Sequence, residues 1–156
     1  MTEPVTVRPA GPEEVARLAA LRREYAEEDE GPVEDAGFEE RYLRWQTGAA
    51  QRRVFWVAEA GPRAVGMLNL TVFERMPRPG RPLSYWGYIG NVFVLAPYRN
   101  AGIGARLLGA AMEYARRAGL TRLVLSPSER AIPFYARAGF RPATSLLVLE
   151  PVDDES

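Results

Sequence analysis

The stretch richest in chemical possibility is Val92-Phe93-Val94-Leu95-Ala96-Pro97-Tyr98-Arg99-Asn100-Ala101-Gly102-Ile103-Gly104-Ala105. An apolar strand pattern runs into a turn with glycines one residue apart. Ile103, Leu107, Ala110, Ala111 and Tyr114 then recur at helical spacing. Glycines at such a turn let backbone N–H groups approach an anion closely, and a helix N-terminus adds unpaired donors and the positive end of its dipole. This is the physics of a pyrophosphate cradle. A dinucleotide fingerprint would need a third glycine where Leu107 stands, and its strand would have to start a βαβ repeat, so dinucleotide binding is set aside.

Absent residue types narrow the chemistry further. The chain has 156 residues with no Cys and no His, and all 20 of its basic residues are Arg. Disulfides, cysteine nucleophiles, Ser-His-Asp hydrolysis, and Cys- or His-based metal sites are excluded, and no metal is expected. Without Lys, neither a Walker loop nor a Schiff base can form. Chemistry is left to carboxylates, Tyr, Ser, Thr, Arg, the backbone and water. The 20 acidic residues balance the 20 basic ones. No nucleic-acid partner and no membrane surface are therefore expected. Met1-Thr2-Glu3-Pro4 lacks the blocks of a signal peptide, no apolar run approaches the ~18 residues of a membrane span, and the expected location is cytoplasmic.

Arg99, Gly102 and Gly104 match the R/Q-x-x-G-x-G/A signature, so the stretch resembles the GNAT superfamily of acyl-CoA-dependent N-acetyltransferases. Ser128-Glu129-Arg130-Ala131-Ile132-Pro133-Phe134-Tyr135-Ala136-Arg137-Ala138-Gly139-Phe140 is similar to that family's N-x-x-A-x-x-x-Y-x-x-x-G-F segment. Two motifs in register are far more specific than either alone. The resemblance implies acetyl-CoA as co-substrate. The backbones of Phe93 and Val94 would bond its pantetheine arm like an added strand, and Arg99, Asn100, Ala101, Gly102, Ile103, Gly104 and Ala105 would hold the pyrophosphate. Tyr135 would sit near the sulfur as general acid. Ser128 stands where the family usually has Asn and would be a cofactor contact there. Where the family often carries a Glu as general base, this chain reads Tyr88-Ile89-Gly90-Asn91, which leaves Tyr88, Asn91 and Glu74 as candidates for base or for positioning water.

These residues need a scaffold. Val5–Arg8 alternates as a strand, Pro12–Glu27 has helical period, and Phe38, Tyr42 and Trp45 mark a second helix. Arg53–Ala58 and Ala64–Phe73 read as strands around a Gly61-Pro62-Arg63 turn, and the second carries apolar side chains toward both faces. A long strand, Leu83–Leu95, follows, and the helix after Gly102 stops at Arg116, Arg117 and Gly119. A short strand at Arg122–Ser126, a brief helix at Phe134–Ala138 and a final strand at Ser145–Leu149 complete the order. The fold class is a mixed α/β sheet with helices on its faces. The resemblance makes it GNAT-like: a mostly antiparallel sheet of about six strands flanked by about four helices, splayed at the cofactor-binding strand. One domain is expected over residues 1–152, with 153–156 as a loose tail.

The expected activity is acetyl transfer to a primary amine by direct attack in a ternary complex; a non-catalytic acyl-CoA-binding sensor, or use of a longer acyl group, are the alternatives. The acceptor is a small-molecule amine or a protein or peptide amino group. Glu24, Glu27, Glu28, Asp29, Glu30, Glu34, Asp35, Glu39 and Glu40 form a run with no basic residue between them, which favours a cationic acceptor. A homodimer is the default assembly.

Overall fold

Period-two alternation, three antiparallel reversals and one parallel crossover build the sheet. The structure is a computed structural model that describes residues 3–48 and 52–151, and the expected tail at 153–156 lies outside them. The chain divides into two compact units, Met1–Ser126 and Pro127–Ser156.

The first unit holds a five-stranded sheet in sequential order: β1 (Val5–Pro9), β2 (Arg53–Ala60), β3 (Arg63–Glu74), β4 (Tyr85–Val94) and β5 (Leu123–Leu125). The first four strands pair antiparallel, and β5 runs parallel to β4. Gly61, at φ 57, makes the tight reversal between β2 and β3 that Gly61-Pro62 announced. Both faces are covered, so β2 and β3 are apolar on both. On one face Phe55, Val57, Met67 and Phe93 pack against Val15, Leu18, Ala19 and Leu21 of α1 (Val15–Glu30) and Tyr42 of α2 (Phe38–Gly48). Toward the other, α3 (Ile103–Ala118) meets Trp56 through Tyr114, their ring centroids 5.6 Å apart.

Helix ends follow local chemistry. A 3₁₀ turn at Pro12–Glu14 precedes α1, which runs past the expected Glu27 until Gly31, at φ 72, donates its N–H to the Glu27 carbonyl. Gly119 ends α3 in a left-handed conformation, and Leu120 N–H reaches back to Ala115 O at 2.9 Å. In the second unit α4 (Ile132–Arg137) ends before Gly139.

One expected strand is absent. Ser145–Leu149 pairs with nothing among the described residues, and Leu146, Leu147, Val148 and Leu149 are strongly exposed. A strand exists only through its ladder, and β-branched or aliphatic composition cannot supply a partner. The sheet thus has five strands rather than six.

Candidate active site

The cradle is built where β4 outruns its neighbour. β5 pairs with β4 only from Gly87 to Ile89, so Gly90–Val94 has no strand on that edge among the described residues. Leu95 donates its N–H to Val65 O at 2.8 Å, and alternation along the strand turns the N–H and carbonyl of Val94 toward the open edge. Phe93 lies back in the core, its ring stacked 4.2 Å from that of Tyr25 on α1.

Beyond Val94 the chain makes a 3₁₀ turn at Ala96–Tyr98, then places Asn100 at φ 62 and Gly102 at φ 80 before entering α3. The bond from Arg106 N–H to the Gly102 carbonyl, 3.1 Å, opens the helical ladder. The N–H groups of Ile103, Gly104 and Ala105 precede it, no side chain caps them, and the first turn carries no acid. Ala101, Gly102 and Ala105 are exposed and Gly104 is partly so. A Cβ at Gly102 would meet nothing within 4 Å, so glycine is needed there for its backbone conformation and not for space. Free donors at a dipole's positive end, beside an open strand edge, fit the pyrophosphate and pantetheine of a coenzyme A thioester.

The Arg99 side chain is engaged within the protein. Its Nε donates to the Val94 carbonyl at 2.9 Å and its Nη2 to Glu28 Oε2 at 2.6 Å. The other oxygen of Glu28 accepts the Ala96 N–H at 2.7 Å. Glu28 thereby ties α1 to both ends of the turn. Sequence reasoning had placed it only among the acids of the 24–40 run.

A second feature lies on β4 just before the cradle. The β3–β4 register shifts between Met67 and Asn69, and Asn91 takes φ 53 in the resulting bulge. Its Oδ1 accepts a 2.9 Å hydrogen bond from Nδ2 of Asn69, which is buried. Asn91 borders a cavity of about 420 Å³ with Met67 and, from the helices, Arg22, Phe38, Arg41, Tyr42 and Trp45. Of these, Asn91 is the residue that the sequence points to as a site candidate. Phe38, Tyr42 and Trp45 carried a helical period that signals packing, which hid their role as a wall.

The remaining candidates scatter. Tyr88 hydroxyl donates to Ser126 Oγ at 3.1 Å on the β5 side of β4. Glu74 pairs with Tyr85 at the opposite end of β4, roughly 30 Å from Val94 at about 3.3 Å per residue, so the register does not bring it to the cradle. In the second unit, Tyr135 is half-buried between Phe134 and Phe140, with ring centroids 5.0 and 5.8 Å away. Burial raises its phenol above the ordinary value, which keeps it a proton donor at neutral pH. Ser128 is extended at the start of a 3₁₀ turn and accepts the Ala131 N–H through its carbonyl; its side chain caps nothing.

Five of the nine acids of the run are held in ion pairs. Glu24 pairs with Arg63, Glu27 and Glu39 with Arg23, Glu28 with Arg99, and Asp35 with Arg41. None of the nine acids lines the 420 Å³ cavity.

A mixed sheet whose penultimate strand opens onto a glycine turn and an uncapped helix defines an α/β domain of the acetyltransferase kind. The acetyltransferase (GNAT) family matches residues 18–140, and the chain belongs to that family. Over 79 residues it is 37% identical to glucosamine 6-phosphate N-acetyltransferase of Trypanosoma brucei brucei, a match covering 51% of this chain and 52% of that protein. The chain thus aligns with about half the length of that curated relative. A GCN5-related N-acetyltransferase from Ralstonia eutropha is 29% identical, with a TM-score of 0.68 over 94% of this chain and 99% of that one. A predicted acetyltransferase from Clostridium acetobutylicum, solved with acetyl-CoA, shares the fold at a TM-score of 0.75, 21% identity, and coverage of 94% and 96%.

Proposed function

We propose that this protein transfers an acetyl group from acetyl-CoA to a primary amine that enters the cavity beside Asn91. The observation that carries the reading is the trio of uncapped N–H groups at Ile103, Gly104 and Ala105, directly after the unpaired edge of β4. When bound, the co-substrate supplies an activated thioester carbonyl and a thiolate leaving group. The chain's own part is to hold and orient. The α3 N-terminus binds the diphosphate, and Val94 offers a backbone N–H to the pantetheine arm, as a β-addition ligand is held. The Asn91 bulge breaks the β3–β4 ladder beside the cavity, where an amine can approach the end of that arm.

A protonated amine must first lose its proton. Among the described residues the cavity lining contains no carboxylate, and the chain has no His, so the proton passes to solvent water. Tyr135, protonated at neutral pH, is the donor to the departing thiolate in keeping with its motif. The name of the trypanosomal relative supports a small amine as acceptor over a protein terminus. The test pairs calorimetry of CoA binding with thiol release in the presence of an amine panel. Binding with release supports the transferase; binding with no release from any amine would mark a sensor, and no CoA binding would sink both.

A further inference from the structure

We propose that the acceptor is a small primary amine bearing an anionic group, and that Arg22 in the cavity between α1, α2 and the β4 bulge receives that group. The proposal rests on reading this cavity as the acceptor site. Its volume of about 420 Å³ suits a small molecule.

The charge of the lining decides the class of ligand. Among the described residues two guanidinium groups border the cavity and no carboxylate does; Glu27, Glu30 and Asp35 line the neighbouring cavity, on the far side of Arg22 and Phe38. The two guanidinium groups are not equivalent. Arg41 is engaged by Asp35 through both of its Nη atoms. Arg22 is partly buried and makes no hydrogen bond or ion pair among the described residues; its guanidinium carbon lies 5.9 Å from the ring centroids of both Tyr25 and Phe93. A half-desolvated guanidinium with its donors free is matched by a carboxylate or a phosphate, which can accept two parallel hydrogen bonds.

Tyr42 adds an independent pointer. It lines the same cavity, is 7% exposed, and its hydroxyl has no partner among the described residues. Burial pushes this phenol up to about 12, so it stays protonated and can donate to an anion. A buried hydroxyl without a partner is costly, so this wall of the cavity carries an unmet donor, its oxygen closed to solvent behind the ring.

A cationic acceptor fares poorly here. It would meet no unlike charge among the described residues of the lining, and the Trp45 face that could attract it already carries the Arg53 guanidinium, 4.2 Å from the ring centroid. Phe38 and Trp45 give an apolar wall for the body of the substrate. The sheet side, Met67 and Asn91, adjoins the β4 edge.

The experiment uses matched amines on the CoA-bound protein: 4-(aminomethyl)benzoate against its amide, 2-aminoethyl phosphate against ethanolamine, and cadaverine as the dication. Binding is read by calorimetry and turnover by thiol release. At least one anionic member should bind about tenfold or more tightly than its neutral partner, and the arm that does so distinguishes carboxylate from phosphate. Arg22→Gln should erase the preference and Arg22→Lys retain part of it, with CoA affinity unchanged in both. Equal binding within both pairs, tighter binding of cadaverine, or a preference that survives Arg22→Gln would overturn the proposal. The wild-type contrasts decide it even if a variant misfolds. Thiol release without anion preference overturns this inference alone, whereas anion-selective binding with no release from any amine supports it and overturns the transferase reading.

Discussion

Replacing Gly102 with Ala isolates the conformational demand of the cradle. The residue sits at φ 80 and ψ 5, and a Cβ there meets no atom within 4 Å, so the substitution introduces backbone strain without a clash. Holding an L-residue in the left-handed region costs about 1–2 kcal/mol. That cost has two outlets. If the turn keeps its shape, the free protein loses 1–2 kcal/mol of stability, equivalent to roughly 2–8 °C in Tm for a chain this long. If the turn relaxes, stability is spared, but CoA binding must restore the strained geometry to aim the N–H groups of Ile103, Gly104 and Ala105, and affinity falls about 5- to 30-fold. The two losses should sum to about 1–2 kcal/mol, measured by denaturant unfolding of the free protein and calorimetry with CoA. Gly102→Asn should lose less by both measures, since Asn tolerates this region. A Gly102→Ala variant with wild-type stability and wild-type affinity would refute the requirement for a left-handed residue.

Gly104→Val places a branched side chain in the first turn of α3; it should weaken CoA at least tenfold in calorimetry, and unchanged affinity in a folded variant would remove the diphosphate from this turn. Tyr135→Phe keeps the ring between Phe134 and Phe140 and should lower kcat by about 10²-fold at saturating substrates with Tm unaltered; an unaltered rate makes the residue a packing element. With the amine's proton going to water, kcat/KM should climb about tenfold per pH unit toward the amine's own pKa, near 10.4 for a lysine-like amine, and a break in the carboxylate range would reveal a side-chain base. Arg8 and then Arg17 hold the Glu59 carboxyl below its ordinary value, so its contribution to stability is full above the unfolded-state pKa and lost as pH falls through the folded one; Glu59→Gln should unfold more easily at pH 7 and converge with wild type in acid.

Local chemistry made most of the scaffold legible. Gly61-Pro62, Gly31 and Gly119 each end or reverse an element where they stand, and the two-sided apolarity of β3 reflects helices on both faces of the sheet. The cradle was legible for the same reason: its function resides in backbone donors, and the order strand, glycine turn, helix is contiguous in sequence. What depends on distant partners was not. The Leu146–Leu149 segment has the composition of a strand but no ladder among the described residues. Asn69 and Asn91, 22 positions apart, meet only because of the bulge, and nothing in Tyr88-Ile89-Gly90-Asn91 announces an irregularity. Glu74 was drawn to the site by its place at a strand end, and the register sets it at the wrong end of β4.

The acidic run shows how ion pairing reshapes a charge pattern read along the chain. Nine carboxylates in succession suggest a field that gathers cations, but a field requires charges that remain uncompensated. Here arginines from α1, α2, β3 and the cradle turn reach five of the nine: Arg23 takes Glu27 and Glu39, Arg41 takes Asp35, Arg63 takes Glu24 and Arg99 takes Glu28. These are mostly exposed pairs, so each adds little to stability, yet each cancels its share of the field at the distances over which steering acts. Arg22, two residues before the run starts, takes part in none of these pairs and borders the cavity. Asp29, Glu30, Glu34 and Glu40 have no ion pair among the described residues, so the run as a whole stays negative, while the cavity lining itself presents the Arg22 guanidinium. Glu28 carries the same point to the cofactor side, where one carboxylate serves Ala96 N–H and Arg99 together and so fixes the turn that aims the helix.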